Sequence, residues 1–213
     1  MTRFPDPRYA RGDVVAVGDD LSVDTLRDAY RHGIFPWPHE RLPLPWFSPR
    51  RRTVLFFDQL HVGRTLRRTI DKATYEFTID RAFPDVIAAC AQAPRGGETG
   101  TWILPEIIAA YTRLHRAGDA HSVEVWRGAE LVGGLYGVDS GGVFTGESMF
   151  HRVPNASKLA LVFLVEHLRA RGARWLDCQV TTAHIRALGA REVARARFLD
   201  MLAAAQAERL TLF

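Results

Sequence analysis

The sequence predicts an α+β protein, with a small N-terminal domain over residues 1–52 and a larger mixed-sheet domain over residues 53–213. Three observations lead there. Seven of the eleven prolines fall before residue 53, which makes that stretch richer in loops than in regular elements. From Thr53 onward, short alternating runs of apolar and polar residues are interspersed with stripes at helical spacing. The hydrophobic fraction of 47% suffices for a core without disulfides or metal.

The N-terminal domain holds one clear helix, over residues 23–32. Ser22 serves as its N-cap, Leu26 and Tyr30 share a face, and Gly33 supplies the stop. The following IFPWPHERLPLPWFSPRRR reads as a rigid loop without regular elements, carrying Trp37, Trp46 and three consecutive arginines. Residues 54–57 and 75–79 are short strand candidates. Helices follow over residues 83–93 and 105–117, the second opened by Pro105 and closed by Gly118. Residues 121–126 and 130–138 form a hairpin through Arg127, Gly128 and Ala129, and residues 143–149 a third strand. Asn155 caps a helix reaching residue 171, in which Leu161, Leu164, Val165 and Leu168 make a buried stripe. A strand over residues 175–180 and helical stretches over 184–188 and 195–209 complete the chain. From residue 121 the order is strand, strand, strand, helix, strand, helix. That is the general plan of acetyltransferase-like (GNAT-like) acyl-transfer folds, an analogy of fold that does not give function.

The formal net charge is +4, and only Lys72 and Lys158 are lysines, leaving 26 of the 28 basic residues as arginine. The guanidinium fork suits phosphate and a basic balance permits a nucleic-acid partner. A genome rich in G and C raises arginine content equally well, so composition alone does not establish RNA binding. Cys90 and Cys178 belong to no CxxC pattern and read as reduced, buried thiols. The eight histidines show no metal-binding spacing. No apolar leader and no run of membrane-spanning length is present, so a soluble, cytoplasmic protein without a membrane partner is expected. Walker, GxGxxG and GxSxG patterns are missing, and Ser148, in GESM, is no nucleophile elbow.

The sharpest strings are VFTGESMF, NASK and LDCQV. On a strand, Asp177 and Gln179 share a face while Cys178 points the other way. A carboxylate beside an amide can relay a hydrogen bond, the amide oxygen accepting from an attacking amine and the carboxylate taking up charge behind it. Glu147, on another strand, can pair with an ammonium group. Any one of the three alone reads as a structural polar group; their embedding in apolar strands points to a site. Asn155 at a helix N-terminus is where an anion can sit, though an ordinary N-cap explains it as well. Trp37 and Trp102, on irregular segments, are stacking platforms for an unpaired base. Arg50, Arg51 and Arg52, with Arg64, Arg67 and Arg68, form the densest basic cluster, suited either to phosphate or to a solvated face.

Taken together, the strings AYRHGIFPW, WFSPRRRTVL, GTWI, AYTRLHRAGDAHSVEVW, LVGGLYGV, GESMF, NASKLAL and LDCQV followed by LGA resemble the bacterial leucyl/phenylalanyl-tRNA–protein transferase family, in that family's order across nearly the whole chain. The resemblance implies a small N-terminal domain and an acetyltransferase-like domain that uses no acetyl-CoA, with neither cofactor nor metal. It implies that Trp37 and Trp102 embrace the terminal adenosine of a tRNA. It puts an apolar side-chain pocket at Leu135, Leu164 and Leu176, and catalytic positions at Glu147 and Gln179, with Asp177 beside the latter. The implied partners are aminoacyl-tRNA carrying Leu, Phe or Met and acceptor proteins beginning with Arg or Lys, which transfer marks for degradation. Leu135 and Leu164 are aliphatic where known members carry a thioether and an aromatic ring, which leaves open the preference among Leu, Phe and Met. The segment APRGGETG before Trp102 is a longer insertion than usual.

The expected chemistry needs neither ATP nor metal, because the donor ester is already activated. Gln179 would orient the attacking amine and, with Asp177, help its proton leave; Glu147 would hold the donor's ammonium or orient the ester. Two alternatives stand beside this reading. A CoA-dependent N-acetyltransferase would need a glycine-rich turn opening the long helix, where this chain has MFHRVPNASK. A non-enzymatic RNA-binding module gives no reason for Glu147, Asp177 and Gln179 to lie in apolar strands.

Overall fold

A computed structural model describes residues 3–38, 43–71, 74–94 and 101–213, with the side chain of Asp71 left aside. Lys72 and most of the APRGGETG segment lie outside the described residues, as do residues 39–42 of the proline-rich stretch.

Two sheets organise the chain. Strands β1 (Val14–Val17), β2 (Phe35–Pro36) and β3 (Pro45–Phe47) form a three-stranded antiparallel sheet in the order β1-β3-β2. The larger sheet has seven strands, β4 (Arg51–Phe56), β5 (Glu76–Ile79), β6 (Ala120–Arg127), β7 (Glu130–Asp139), β8 (Phe144–His151), β9 (Trp175–Gln179) and β10 (Arg191–Ala194), in the order β10-β4-β9-β8-β7-β6-β5. Strands β8 and β9 run parallel, in the register Thr145↔Asp177. Between them the chain crosses through the longest helix, α5 (Ala156–Ala170), as a parallel connection requires. The mixed α+β architecture expected from the sequence is present.

Helix α1 (Val23–Arg31) starts at Ser22, whose hydroxyl accepts the Thr25 N–H at 3.3 Å, and ends before Gly33 at φ +71°. Helices α2 (Arg64–Asp71), α3 (Phe83–Gln92), α4 (Pro105–Arg116), α6 (Ala183–Ala187) and α7 (Arg195–Ala207) complete the set. The hairpin turn is tighter than expected: Arg127 pairs with Glu130, leaving Gly128 at φ +61° and Ala129 between them. Leu161, Leu164, Val165 and Leu168 on α5 are buried as one stripe in a core shared with Leu135 and Leu176. A second core gathers α1, α3 and α4 with Tyr136 and Trp46. Leu135 and Tyr136, neighbours on β7, enter different cores, as residues on opposite sheet faces do. A third cluster places Phe198 and Leu199 of α7 over Val54, Trp175 and Val193.

Four expectations need correction. The proline-rich stretch is not wholly irregular, because its prolines fall where a missing donor costs little: Pro36 on the outer strand β2 and Pro45 at the first position of β3. Arg51 and Arg52 belong to β4 rather than to a loop. Helix α2 and strand β10 went unrecognised, being short and mostly exposed among the described residues, with Leu66 buried in α2 and Val193 in β10. Asn155 sits at the N-cap of α5 but in the left-handed region, at φ +71°, and its side chain makes no capping bond.

Gly33 is required twice over. Its φ suits glycine, and a Cβ there would lie 2.8 Å from Phe198 Cε1 and 2.9 Å from Leu199 Cδ2. Replacing it with Ala should cost about 2–4 kcal/mol from left-handed strain and overpacking. Urea unfolding should show a lower midpoint with unchanged slope.

Candidate active site

Glu147 lies on β8, and three donors from three other elements converge on its carboxylate. Tyr30 of α1 donates to Oε1 at 2.6 Å and Gln179 Nε2, from the end of β9, to the same oxygen at 2.6 Å. Tyr111 of α4 reaches Oε2 only at 3.5 Å and is hydrogen-bonded to Tyr30. One oxygen is therefore fully engaged while Oε2 retains capacity for a further N–H or O–H. Loss of hydration raises the Glu147 carboxyl from the ordinary 4.5 to about 7; the Asp177 charge adds to the rise, and the Tyr30 bond, Arg52 and Gln179 oppose it. Burial, followed by the Glu147 charge, pushes both tyrosine hydroxyls well above 10, so they remain donors. The residue surface of Glu147 is nevertheless half-open, unlike that of Asp177.

Asp177 is 0% exposed and faces the Arg52 guanidinium in a fork, Nε to Oδ1 at 2.8 Å and Nη2 to Oδ2 at 2.6 Å. Thr145 donates to Oδ2 at 3.2 Å, and the Gln179 backbone N–H to Oδ1 at 2.8 Å. Two sequence expectations change here. The side-chain relay from Gln179 to Asp177 is not formed: the Gln179 amide turns to Glu147, and Asp177 holds the backbone instead. Arg52 is no surface phosphate contact, because its side chain is 1% exposed and committed to Asp177. A carboxylate this far from water needs a cation, and Arg52 supplies it.

With Nε2 donated to Glu147, the Gln179 Oε1 is the amide's acceptor, and no described residue donates to it. The hydrogen-bonded pair of Gln179 and Glu147 thus keeps acceptor capacity at Gln179 Oε1 and Glu147 Oε2, beside the two tyrosines. Acceptors of this kind can take an amine and receive its proton. Among the described residues no group of three or more His, Cys, Asp or Glu side chains is placed to hold a metal ion. Among the described residues no helix is long and apolar enough to cross a membrane.

Comparison with known proteins places this geometry in context. Residues 54–203 match the model of the leucyl/phenylalanyl-tRNA protein transferase family, and residues 19–50 that of its N-terminal domain. The chain belongs to this family. The leucyl/phenylalanyl-tRNA–protein transferase of Syntrophobacter fumaroxidans is 53% identical over 201 residues, covering 94% of this chain and 86% of the relative. That of Chromohalobacter salexigens is 56% identical over 202 residues, covering 93% and 78%. That of Pectobacterium carotovorum is 51% identical over 203 residues, covering 94% and 86%.

The other transferase positions expected from the sequence fall into three groups. Trp37 and Trp102 are both half-buried and pack against the apolar cluster that contains Tyr30 and Tyr111, the residues that reach Glu147. Leu135, Leu164 and Leu176 share one core at 3%, 1% and 2% exposure, with Met149 packed against it. Arg64, Arg67 and Arg68 on α2 are exposed and form no ion pair among the described residues, whereas Arg50 and Arg51 lie near Asp13 and Glu192 at 3.6 and 3.3 Å. A hollow of about 560 Å³, lined by Phe56, Trp175, Arg197 and Met201 among others, lies away from these residues.

Sequence reasoning missed Tyr30 and Tyr111 as site residues, because a tyrosine on the apolar face of a helix reads as core. The available signal was that a buried phenol needs a polar partner.

The raised Glu147 carboxyl has a consequence for stability. The folded protein keeps a proton that the unfolded chain releases near pH 4.5, so stability is full below that value and falls as pH rises through about 7. Thermal unfolding followed between pH 4.5 and 8 should lose part of this slope in Glu147→Gln; an unaltered profile would refute the assignment.

Proposed function

We propose that this chain transfers leucine or phenylalanine, with some leakage to methionine, from aminoacyl-tRNA to the N-terminal Arg or Lys of an acceptor protein in the cytoplasm, marking that protein for degradation. Membership of the family sets aside the CoA-dependent and non-enzymatic alternatives. The observation that carries the reading is the juxtaposition of Glu147 and Gln179, an acceptor pair with one carboxylate poised near neutral pH.

In this reaction the acceptor's α-amine attacks the ester carbonyl of the aminoacyl-tRNA, a C–N bond forms and the bond to the ribose 3′ oxygen breaks. Gln179 Oε1 accepts one amine N–H and fixes the direction of attack. A neutral amide is a poor base, so its contribution is positional. Glu147 is the better proton acceptor, since a carboxyl near 7 is closely matched to an α-amine of about 8. It takes the proton lost on C–N bond formation and returns it to the leaving oxygen. Asp177 does not touch substrate; it holds the Gln179 backbone. Trp37 and Trp102 stack on the terminal adenosine, and Leu135, Leu164 and Leu176 form the wall against which the donor side chain is measured. Apolar selection of this kind discriminates by about 1–3 kcal/mol per methylene, which accounts for a choice among Leu, Phe and Met that is not absolute. The exposed arginines of α2, with Arg50 and Arg51, contact tRNA phosphates.

Mixing leucyl-tRNA with a peptide beginning with Arg should yield a peptide one leucyl residue heavier, and no such product would end the proposal. Gln179→Ala and Glu147→Ala should each lower kcat by about 10²-fold with folding retained. Parental rates in both would remove their roles. Trp102→Ala should raise KM for charged tRNA about tenfold or more, since a lost base stack is worth about 1–3 kcal/mol. Charge reversal at Arg67 should weaken tRNA binding and flatten its salt dependence, as read from KM between 50 and 200 mM salt.

A further inference from the structure

Gln179 has a backbone that L residues rarely adopt, φ +61°, at the last position of β9. Such a conformation is strained and persists only where the surroundings impose it. Here one constraint is the Gln179 N–H donated to Asp177 Oδ1 at 2.8 Å, alongside the pairing of Gln179 with Thr53 on β4. Asp177 is in turn fixed by Arg52. The guanidinium donates to both carboxylate oxygens, gives a further N–H from Nη1 to the Gly33 carbonyl at 3.2 Å, and lies 4.6 Å from the centroids of both Phe35 and Phe198. Its plane is therefore set by two rings and three acceptors contributed from the Gly33–Phe35 segment, β9 and α7.

We infer that Arg52 is a positioning residue for aminoacyl transfer, acting through Asp177 to hold the Gln179 amide against Glu147. The inference rests on the reaction proposed above. It requires a planar fork, because an ammonium on a flexible stem cannot serve two carboxylate oxygens and a carbonyl while packing against two rings. Arg52 is far from exposed, so this role is independent of any contact with tRNA.

The test is a double-mutant cycle with Gln179→Ala, measured as kcat and KM for transfer from leucyl-tRNA to a peptide beginning with Arg, well below the melting temperature of every variant. Arg52→Lys should lower kcat by about 10- to 100-fold and leave KM for leucyl-tRNA within about threefold. In the Gln179→Ala background the same substitution should cost no more than about twofold, since the residue through which it acts is gone. A merely structural role would multiply the losses instead, and equal factors in both backgrounds overturn the inference. Should Arg52→Lys fail to fold, Phe198→Leu, which removes one face of the stack and keeps the ion pair, is carried through the same cycle with the same criterion. Parental kcat in Gln179→Ala overturns the site reading itself; a slow Gln179→Ala with additive Arg52→Lys overturns the role of Arg52 alone.

Discussion

A carboxylate and a guanidinium have left water together between Asp177 and Arg52, and the site is arranged around that fact. Neither charge is tolerable alone at about 1% exposure, and removal of one partner from such a pair is commonly worth 3–5 kcal/mol because the other is stranded. The pair is satisfied only because the chain brings four separate contributions to it: Thr145 from β8, the Gln179 amide from β9, the Gly33 carbonyl beyond α1, and aromatic faces from Phe35 and Phe198. The N-terminal segment, the central strands and the last helix are thus tied at one charged point. Displacing any of them exposes that charge to an apolar interior.

Next to this fixed pair lies a carboxylate that has been treated differently. Glu147 has no cation within its own hydrogen-bonding set, only neutral donors from Tyr30, Tyr111 and Gln179. Its neighbour Asp177 is paired with Arg52, so the two acids lie close together in different company, one in a buried ion pair and the other able to exchange its proton near neutral pH.

Much of this was legible in the residues. Apolar periodicity gave α5, cap, proline and stop residues gave α1 and α4, and alternation gave the β6–β7 hairpin, because each rests on local chemistry. Glu147, Asp177 and Gln179 stood out as polar residues in apolar strands. What the sequence concealed was pairing at long range. Asp177 lies 125 positions from Arg52 and Glu147 lies 117 from Tyr30, and nothing in a local window connects them. The arginine triplet was therefore read as one basic surface, although strand alternation turns Arg52 inward while Arg51 faces solvent. Short edge elements such as β10 were missed for the opposite reason: they bury too little to leave a pattern.

The single parallel pairing of the large sheet has a further consequence. Glu147 and Gln179 each stand two residues beyond the matched positions Thr145 and Asp177, so the spacing of the two functional side chains is counted off equally along both strands. Each of these steps contains a bulge, between Gly146 and Ser148 opposite β7 and between Asp177 and Gln179 opposite β4, so one insertion or deletion there would change the local backbone that aims its side chain. The α5 crossover carries no such count. A change of chain length is therefore better tolerated around that helix than in these two short steps.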